Sequence, residues 1–131
     1  MSAEQGKTFV AVSDGEKRVI GYYTLAAGAV LFEHLPTEAS RKLSKHPVPV
    51  ILLARLAVDQ SVQGKRLGEG LLLDALQRSL DLSGNLGAHA VEVDALGDSA
   101  VAFYIKYGFA PLLDNPKHLY LPMATIEKAL G

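Results

Sequence analysis

The chain has 131 residues, 49% of them hydrophobic, with a formal net charge of −1 at pH 7. That size and apolar content fit a single domain over residues 1–131 and exclude a disordered profile, while near-neutrality argues against bulk nucleic-acid binding. The chain has no cysteine, which excludes disulfides, thiolate catalysis and cysteine-based zinc sites.

In chain order, Lys7–Val12 alternates weakly and ends in the turn signal Ser13-Asp14-Gly15-Glu16. Residues 18–26, rich in β-branched and aromatic side chains, supply the second arm of a hairpin. Gly28, among small residues, signals a bulge or a close approach by another group. Residues 32–49 are irregular, with Pro36, Pro47 and Pro49 and a short helix predicted over 37–45 behind a Thr37 cap. Residues 50–58 form a nearly all-apolar stretch, the mark of a central strand covered on both faces, with Arg55 the exception. Residues 67–82 are strongly amphipathic at helical spacing, and Gly84 and Gly87 end that helix or the turn after it. Residues 89–94 alternate as a strand. Asp98 or Ser99 caps a helix running to about Tyr107, with Gly108 at its C-terminus. Residues 109–113 and 119–123 are short strands around the Asp114-Asn115-Pro116 turn, and Pro122 places the end of the last strand at an edge. Residues 125–130 form a helical tail. The order β-β-loop-β-α-β-α-β-β is an α/β domain with a mixed sheet.

The net charge averages two unlike parts. Residues 34–66 carry six Lys/Arg and two acids, and residues 67–131 carry four Lys/Arg and eight acids. This is either a bipolar surface or ordinary solvated charge. No apolar stretch reaches the roughly 18 residues of a membrane span and no signal peptide opens the chain, so a cytoplasmic protein with no membrane partner is expected. The four histidines lack metal-ligand spacing, and no metal is assigned.

Residues 63–70, QGKRLGEG, join the apolar strand to the amphipathic helix. A helix start leaves backbone N–H groups unpaired with partial positive charge gathered on them. Gly64, Gly68 and Gly70 permit tight turning and close access, and Lys65 and Arg66 add charge, so a pyrophosphate is the natural guest. The nucleotide-hydrolase pattern GxxxxGK(S/T) is absent, and the dinucleotide pattern GxGxxG fails because Gly68-x-Gly70 is followed by Leu73. The competing reading is a glycine-rich turn that only reverses the chain.

The pair of segments QGKRLG and, forty residues on, AVAFYIKYGF resembles the GCN5-related N-acetyltransferase family. The family signature (Q/R)xxGx(G/A) is met at Gln63 and Gly68 but departs at Arg66, and the second signature, AxxFYxxxGF, is complete in Ala100, Phe103, Tyr104, Gly108 and Phe109. An asparagine common three residues before that alanine is Gly97 here, so a pantetheine contact is lost or supplied by backbone or Asp98. The segments VIGYYTLAAGAV, PVPVILLARLAVDQSVQGKRLGEGLL and HLYLPM resemble the acetyltransferase toxins of toxin–antitoxin pairs over nearly the whole chain. Members of that branch carry a further strand and one or two helices before the point where this chain starts, so an N-terminally shortened form is expected.

The resemblance implies an acyl-CoA N-acyltransferase fold, a mixed central sheet with splayed strands. It implies acetyl-CoA as the cofactor and an amine acceptor, the α-amine of aminoacyl-tRNA, whose acetylation blocks translation. A ribbon-helix-helix antitoxin and a homodimer are the implied partners. Alternatives are acetylation of a small amine or a protein N-terminus, and a non-catalytic module binding acyl-CoA or an antitoxin. The resemblance places the cofactor on Leu56, Ala57 and Val58, on Gln63, Gly64, Lys65, Arg66, Leu67 and Gly68, and on Asp98 and Ser99. Tyr104 is the candidate general acid for the departing thiolate, against a plain packing role. No general base is evident. Glu92 reads as a solvent-face residue of its strand. Arg55 faces acceptor phosphates or sits in a buried pair. Arg41, Lys42 and Lys45 contact acceptor phosphates or form a solvated helix face.

Overall fold

The computed structural model describes residues 6–15, 17–36, 47–64 and 66–130. The helix expected over 37–45, with Arg41, Lys42 and Lys45, and also Lys65, lie outside the described residues. The elements are β1 (Lys7–Val12), β2 (Val19–Val30), β3 (Val48–Val58), α1 (Leu67–Leu86), β4 (Ala90–Asp94), α2 (Asp98–Lys106), β5 (Ala110–Pro111), β6 (His118–Pro122) and α3 (Met123–Leu130). Two short 3₁₀ turns, Phe32–His34 and Gln60–Val62, follow β2 and β3.

Among the described residues, six strands form one sheet in the order β1-β2-β3-β4-β6-β5. Among these strands β3 and β4 pair in parallel and the other neighbours antiparallel, and α1 supplies the crossover that a parallel pair requires. Several boundaries differ from expectation. Gly84 lies inside α1, and Gly87, at φ 65°, is the residue that ends it. The sheet takes only Ala110–Pro111 of the strand expected over 109–113. β6 lies inside the sheet, not at its edge, yet its proline fits because β5 reaches only Leu119 and Tyr120, leaving Pro122 one strand neighbour. Gly28 sits within regular β2 pairing, where an added Cβ would meet Val50 and Leu52 at 3.4 and 3.5 Å, ordinary packing distances, so neither a bulge nor a close approach occurs there, and the bulge lies elsewhere.

The two faces of the sheet bury different cores. Tyr23, Ile51, Val91 and Leu119 point to the face covered by Leu72 and Ala75 of α1 and Ile126 of α3. Val30, Val48, Val50, Ala90 and Tyr120 point the other way, against Leu35 and Leu112 from the loops. Burial of the larger cluster is the main source of stability, at roughly 25 cal/mol per Å² of apolar surface.

The register of β2 on β3 slips by one residue. Leu25 pairs with Leu53 and Thr24 with Arg55, which leaves Ala54 as a β-bulge. The bulge inverts the alternation of β3: Ile51 and Leu53 face the helices before it, Leu56 and Val58 after it. Arg55 is thereby turned to the opposite face, where it is exposed. At the same point the pairing of β3 with β4 ends, at Leu53↔Val93. β3 continues to Val58 against β2 alone, and the sheet opens into a V.

On the face away from the helices, Glu92 is 5% exposed, not the solvent-face residue its alternation suggested. Its carboxylate pairs with His118 Nε2, and His118 Nδ1 lies 3.0 Å from Asp114. Asp114 is also 3.7 Å from His34. Burial raises the Glu92 pKa, with the His118 charge opposing it. Burial alone would lower His118, but the Asp114 hydrogen bond and the Glu92 charge outweigh it and leave His118 raised. A raised histidine contributes stability that is complete below its ordinary value of about 6.5 and is lost as pH rises through its folded-state value. We therefore expect the unfolding free energy to fall as pH rises above about 6.5, and His118→Gln to flatten that slope in denaturant titrations. An unchanged slope in the variant would place the pH dependence elsewhere.

Candidate active site

The loop after β3 is pinned at its base. The Arg18 guanidinium pairs with Asp59 and donates to Ser61 Oγ at 3.1 Å, while the Asp59 N–H donates to the Ile20 carbonyl at 2.8 Å. Beyond it, Gln63 Nε2 donates to the Val58 carbonyl at 3.3 Å, and Gly64 takes φ 89°. Arg66 is the N-cap residue of α1 and adopts φ 61°, ψ 20°, the left-handed conformation that the family's glycine takes without strain. The departure at Arg66 therefore leaves the turn in glycine geometry. No side chain caps α1, and its first internal bond runs from the Gly70 N–H to the Arg66 carbonyl. The N–H groups of Leu67, Gly68 and Glu69 have no intrahelical partner, as at any helix start. An anion placed there meets these donors and the positive end of the helix dipole.

A cleft of about 460 Å³ lies before this seat. Its walls are Leu56 and Val58 of β3, the Gln63–Gly64 turn with Arg66, and Phe103, Lys106 and Tyr107 of the facing helix end. The Tyr107 hydroxyl donates to Glu69 Oε2 at 2.8 Å, tying the end of α2 to the first turn of α1 and raising the tyrosine pKa. Leu56 is shared with a second cleft of about 500 Å³ inside the V of the sheet. Both lie in the size range of small-molecule sites. Between Ala54 and Val58, β3 is paired to β2 on one side only, so its other edge offers backbone N–H and C=O groups to the cleft.

Tyr104 reaches the second cleft from α2. Phe103 and Phe109 meet its ring edge-on, with centroids 5.2 and 5.3 Å away. No hydrogen bond engages its hydroxyl among the described residues, and burial raises its pKa, so it stays protonated at neutral pH. The far wall carries Tyr22, Arg55, Asp94 and Leu96. All but Leu96 are on strands, on the face away from the helices.

The structure brings together Leu56, Ala57, Val58, Gln63, Gly64, Arg66, Leu67, Gly68, Arg55 and Tyr104 along the two joined clefts. It does not bring in Asp98 or Ser99, which are exposed at the start of α2 and line neither cleft. Nor does either cap that helix: Gly97 is the N-cap residue, with extended backbone and no side-chain bond. Arg55 is exposed and lines the second cleft, with no buried pair among the described residues. Sequence reading passed over Tyr22, Asp94 and Leu96. The available signal was Asp94, a charge ending an apolar strand as Arg55 interrupts another. Among the described residues no group of His, Asp and Glu is placed to hold a metal ion, and no helix is long and apolar enough to cross a membrane.

Residues 4–111 match the family model described as acetyltransferase (GNAT) domain. The chain is 42% identical over 125 residues to the tRNA-acetylating toxin of Mycobacterium tuberculosis, covering 95% of this chain and 74% of that protein. Its structure is similar to that of AtaT complexed with acetyl-methionyl-tRNAfMet, with TM-score 0.90 and 30% identity over 98% of this chain and 78% of that one. It is also similar to a tyrosine-to-phenylalanine mutant of the AtaT toxin bound to the C-terminus of the antitoxin AtaR and acetyl-CoA, with TM-score 0.76 and 29% identity over 93% and 71% of the two chains. The chain belongs to the GNAT acetyltransferase family, close to its toxin branch.

Proposed function

We propose that this chain moves acetyl from acetyl-CoA to the α-amine of aminoacyl-tRNA and so blocks translation as a toxin. The observation that carries the reading is the pair of joined clefts, which run from an uncapped helix start, along an open strand edge, to a buried protonated tyrosine. The close likeness to a tRNA-acetylating toxin supports the acceptor.

The residues suit each part of acetyl-CoA. The N–H groups of Leu67, Gly68 and Glu69 receive the pyrophosphate, with Gln63, Gly64 and Arg66 around it, and the family resemblance adds Lys65. The open edge at Leu56, Ala57 and Val58 receives the pantetheine arm as a strand would receive a neighbour, and an N–H there polarises the thioester carbonyl. Acetyl-CoA supplies an activated acyl group, so the protein has only to align it, polarise it and supply a proton. Tyr104 gives that proton to the departing thiolate. The acceptor enters from the other face of the sheet. Arg55 meets its phosphates, and the family resemblance adds the basic residues Arg41, Lys42 and Lys45, all positioning it without reading sequence. An α-amine has a pKa of about 8, so a useful fraction is already neutral near pH 7.

An antitoxin partner is supported by the likeness to the AtaT–AtaR complex. That this antitoxin is of ribbon-helix-helix type, and that the chain forms a homodimer, rest on the family resemblance.

Acetyl transfer from labelled acetyl-CoA to a pool of charged tRNAs tests the reading. Tyr104→Phe is expected to lose about 10²-fold or more in rate while its acetyl-CoA affinity, by calorimetry, stays within about threefold. Transfer at the wild-type rate by the variant would return Tyr104 to a packing role; transfer only to small amines would overturn the acceptor. A second pair of variants tests the helix start. Arg66→Gly is expected to keep stability within about 1 kcal/mol, because relief of the left-handed strain offsets the greater freedom of the unfolded chain, while acetyl-CoA binding weakens about threefold. Arg66→Val, β-branched at positive φ, is expected to lose about 1 kcal/mol or more in thermal unfolding.

A further inference from the structure

We infer that Asp94 receives the acceptor amine, a role that rests on the proposed transfer reaction. The cleft inside the V contains one acid and one base among its lining residues, Asp94 and Arg55. Both are exposed, and neither has a hydrogen bond or ion pair among the described residues. Both point to the face away from the helices. Asp94 does so because it follows Glu92 by two on β4, and Arg55 because the Ala54 bulge turned it there. Tyr104 reaches the same cleft from the helix side. A molecule lying in the V thus meets the proton donor on one face and, on the other, a carboxylate with no partner among the described residues.

The acceptor end of an aminoacyl-tRNA carries a matching pair of charges. Its α-amine is cationic or becomes so during reaction, and its nearest phosphodiester is anionic. Arg55 suits the phosphate, and Asp94 suits the amine. Leu96, 95% exposed beside Asp94, and Tyr22 across the cleft add apolar surface for the aminoacyl group or terminal base. His118 pairs with Asp94 in the β-ladder, and the charge of Asp94 is felt by Glu92, so the carboxylate stands among charges of both signs.

The neutral amine donates a hydrogen bond to the Asp94 carboxylate, which orients the nitrogen lone pair toward the acetyl carbon. As the C–N bond forms, the nitrogen gains positive charge and the carbonyl oxygen negative charge, and the carboxylate stabilises the former only as it develops. The carbonyl re-forms, the C–S bond breaks and its electron pair leaves on sulfur, which takes the Tyr104 phenolic proton. The surplus proton on nitrogen passes to Asp94 and then to water, and water re-protonates Tyr104. Amine and thioester become amide and thiol with no other reactant.

The test is single-turnover acetylation of charged tRNA by wild type, Asp94→Asn and Asp94→Ala, the last with and without formate, with calorimetry of acetyl-CoA binding on each. Both variants are expected to lose about 10²-fold or more in rate and to keep acetyl-CoA affinity within about threefold, and formate is expected to restore Asp94→Ala about tenfold. Wild-type rates in either variant, a loss that formate leaves unchanged, or loss of acetyl-CoA binding would each overturn the proposal while leaving the transfer reaction standing. A wild-type chain that binds acetyl-CoA and acetylates no charged tRNA would overturn that reaction, and this role with it.

Discussion

One extra residue in one strand organises the site. β3 pairs with β2 along its whole length, but the bulge at Ala54 shifts its register and inverts its alternation just where pairing with β4 stops. A bulge adds local twist, which turns the second half of β3 away from β4. Two consequences follow. The strand keeps an open edge from Ala54 to Val58. Its one cation also leaves the helix-side core, into which Arg55 would point if it continued the Ile51 and Leu53 series. A buried unpaired guanidinium would cost several kcal/mol, so bulge and arginine are mutually consistent.

The faces then divide the work. On the helix side, α1 begins uncapped at Arg66, and the Tyr107–Glu69 hydrogen bond ties the end of α2 to that start, so the proposed pyrophosphate seat is joined directly to the helix that carries Tyr104. On the other side, the sheet presents charge: Arg55 and Asp94 at the V, and beyond them the chain that runs from buried Glu92 through His118 to exposed Asp114. That chain fixes β4 against β6, so the β4 arm of the V is held by an ion-paired network while the β3 arm is held by β2. The cleft is open because each arm is satisfied by its outer neighbour.

Much of this was legible in the sequence. The elements β1 to β4, α1 and α2 followed from alternation, helical spacing and glycine punctuation, and the joint of strand and helix at residues 63–70 followed from its bare backbone donors. That Tyr104 and residues 56–58, 63, 64 and 66–68 line joined clefts fits what two signatures led us to expect. What escaped depended on register. Alternation along 50–58 says nothing of a bulge that only the pairing with β2 reveals, so Arg55 stayed ambiguous. Glu92 alternates with Val91 and Val93 as a solvent-face residue would, yet its face is covered by loops and by His118, partners far away in sequence. Asp94 and Leu96 lie at a strand end whose importance comes from what it fails to pair with. The cap of α2 was misplaced because Asp98 and Ser99 are good cap residues, while the chain uses extended Gly97 in that position.

The most direct test of this account is amide hydrogen exchange with and without acetyl-CoA, followed residue by residue by NMR. If the open edge of β3 takes the pantetheine arm as a neighbouring strand and the start of α1 takes the pyrophosphate, acetyl-CoA will slow exchange at amides among residues 56–58 and 67–69 and leave the β1–β2 hairpin unchanged. Saturating acetyl-CoA that leaves both segments exchanging as before, with protection elsewhere, would contradict it.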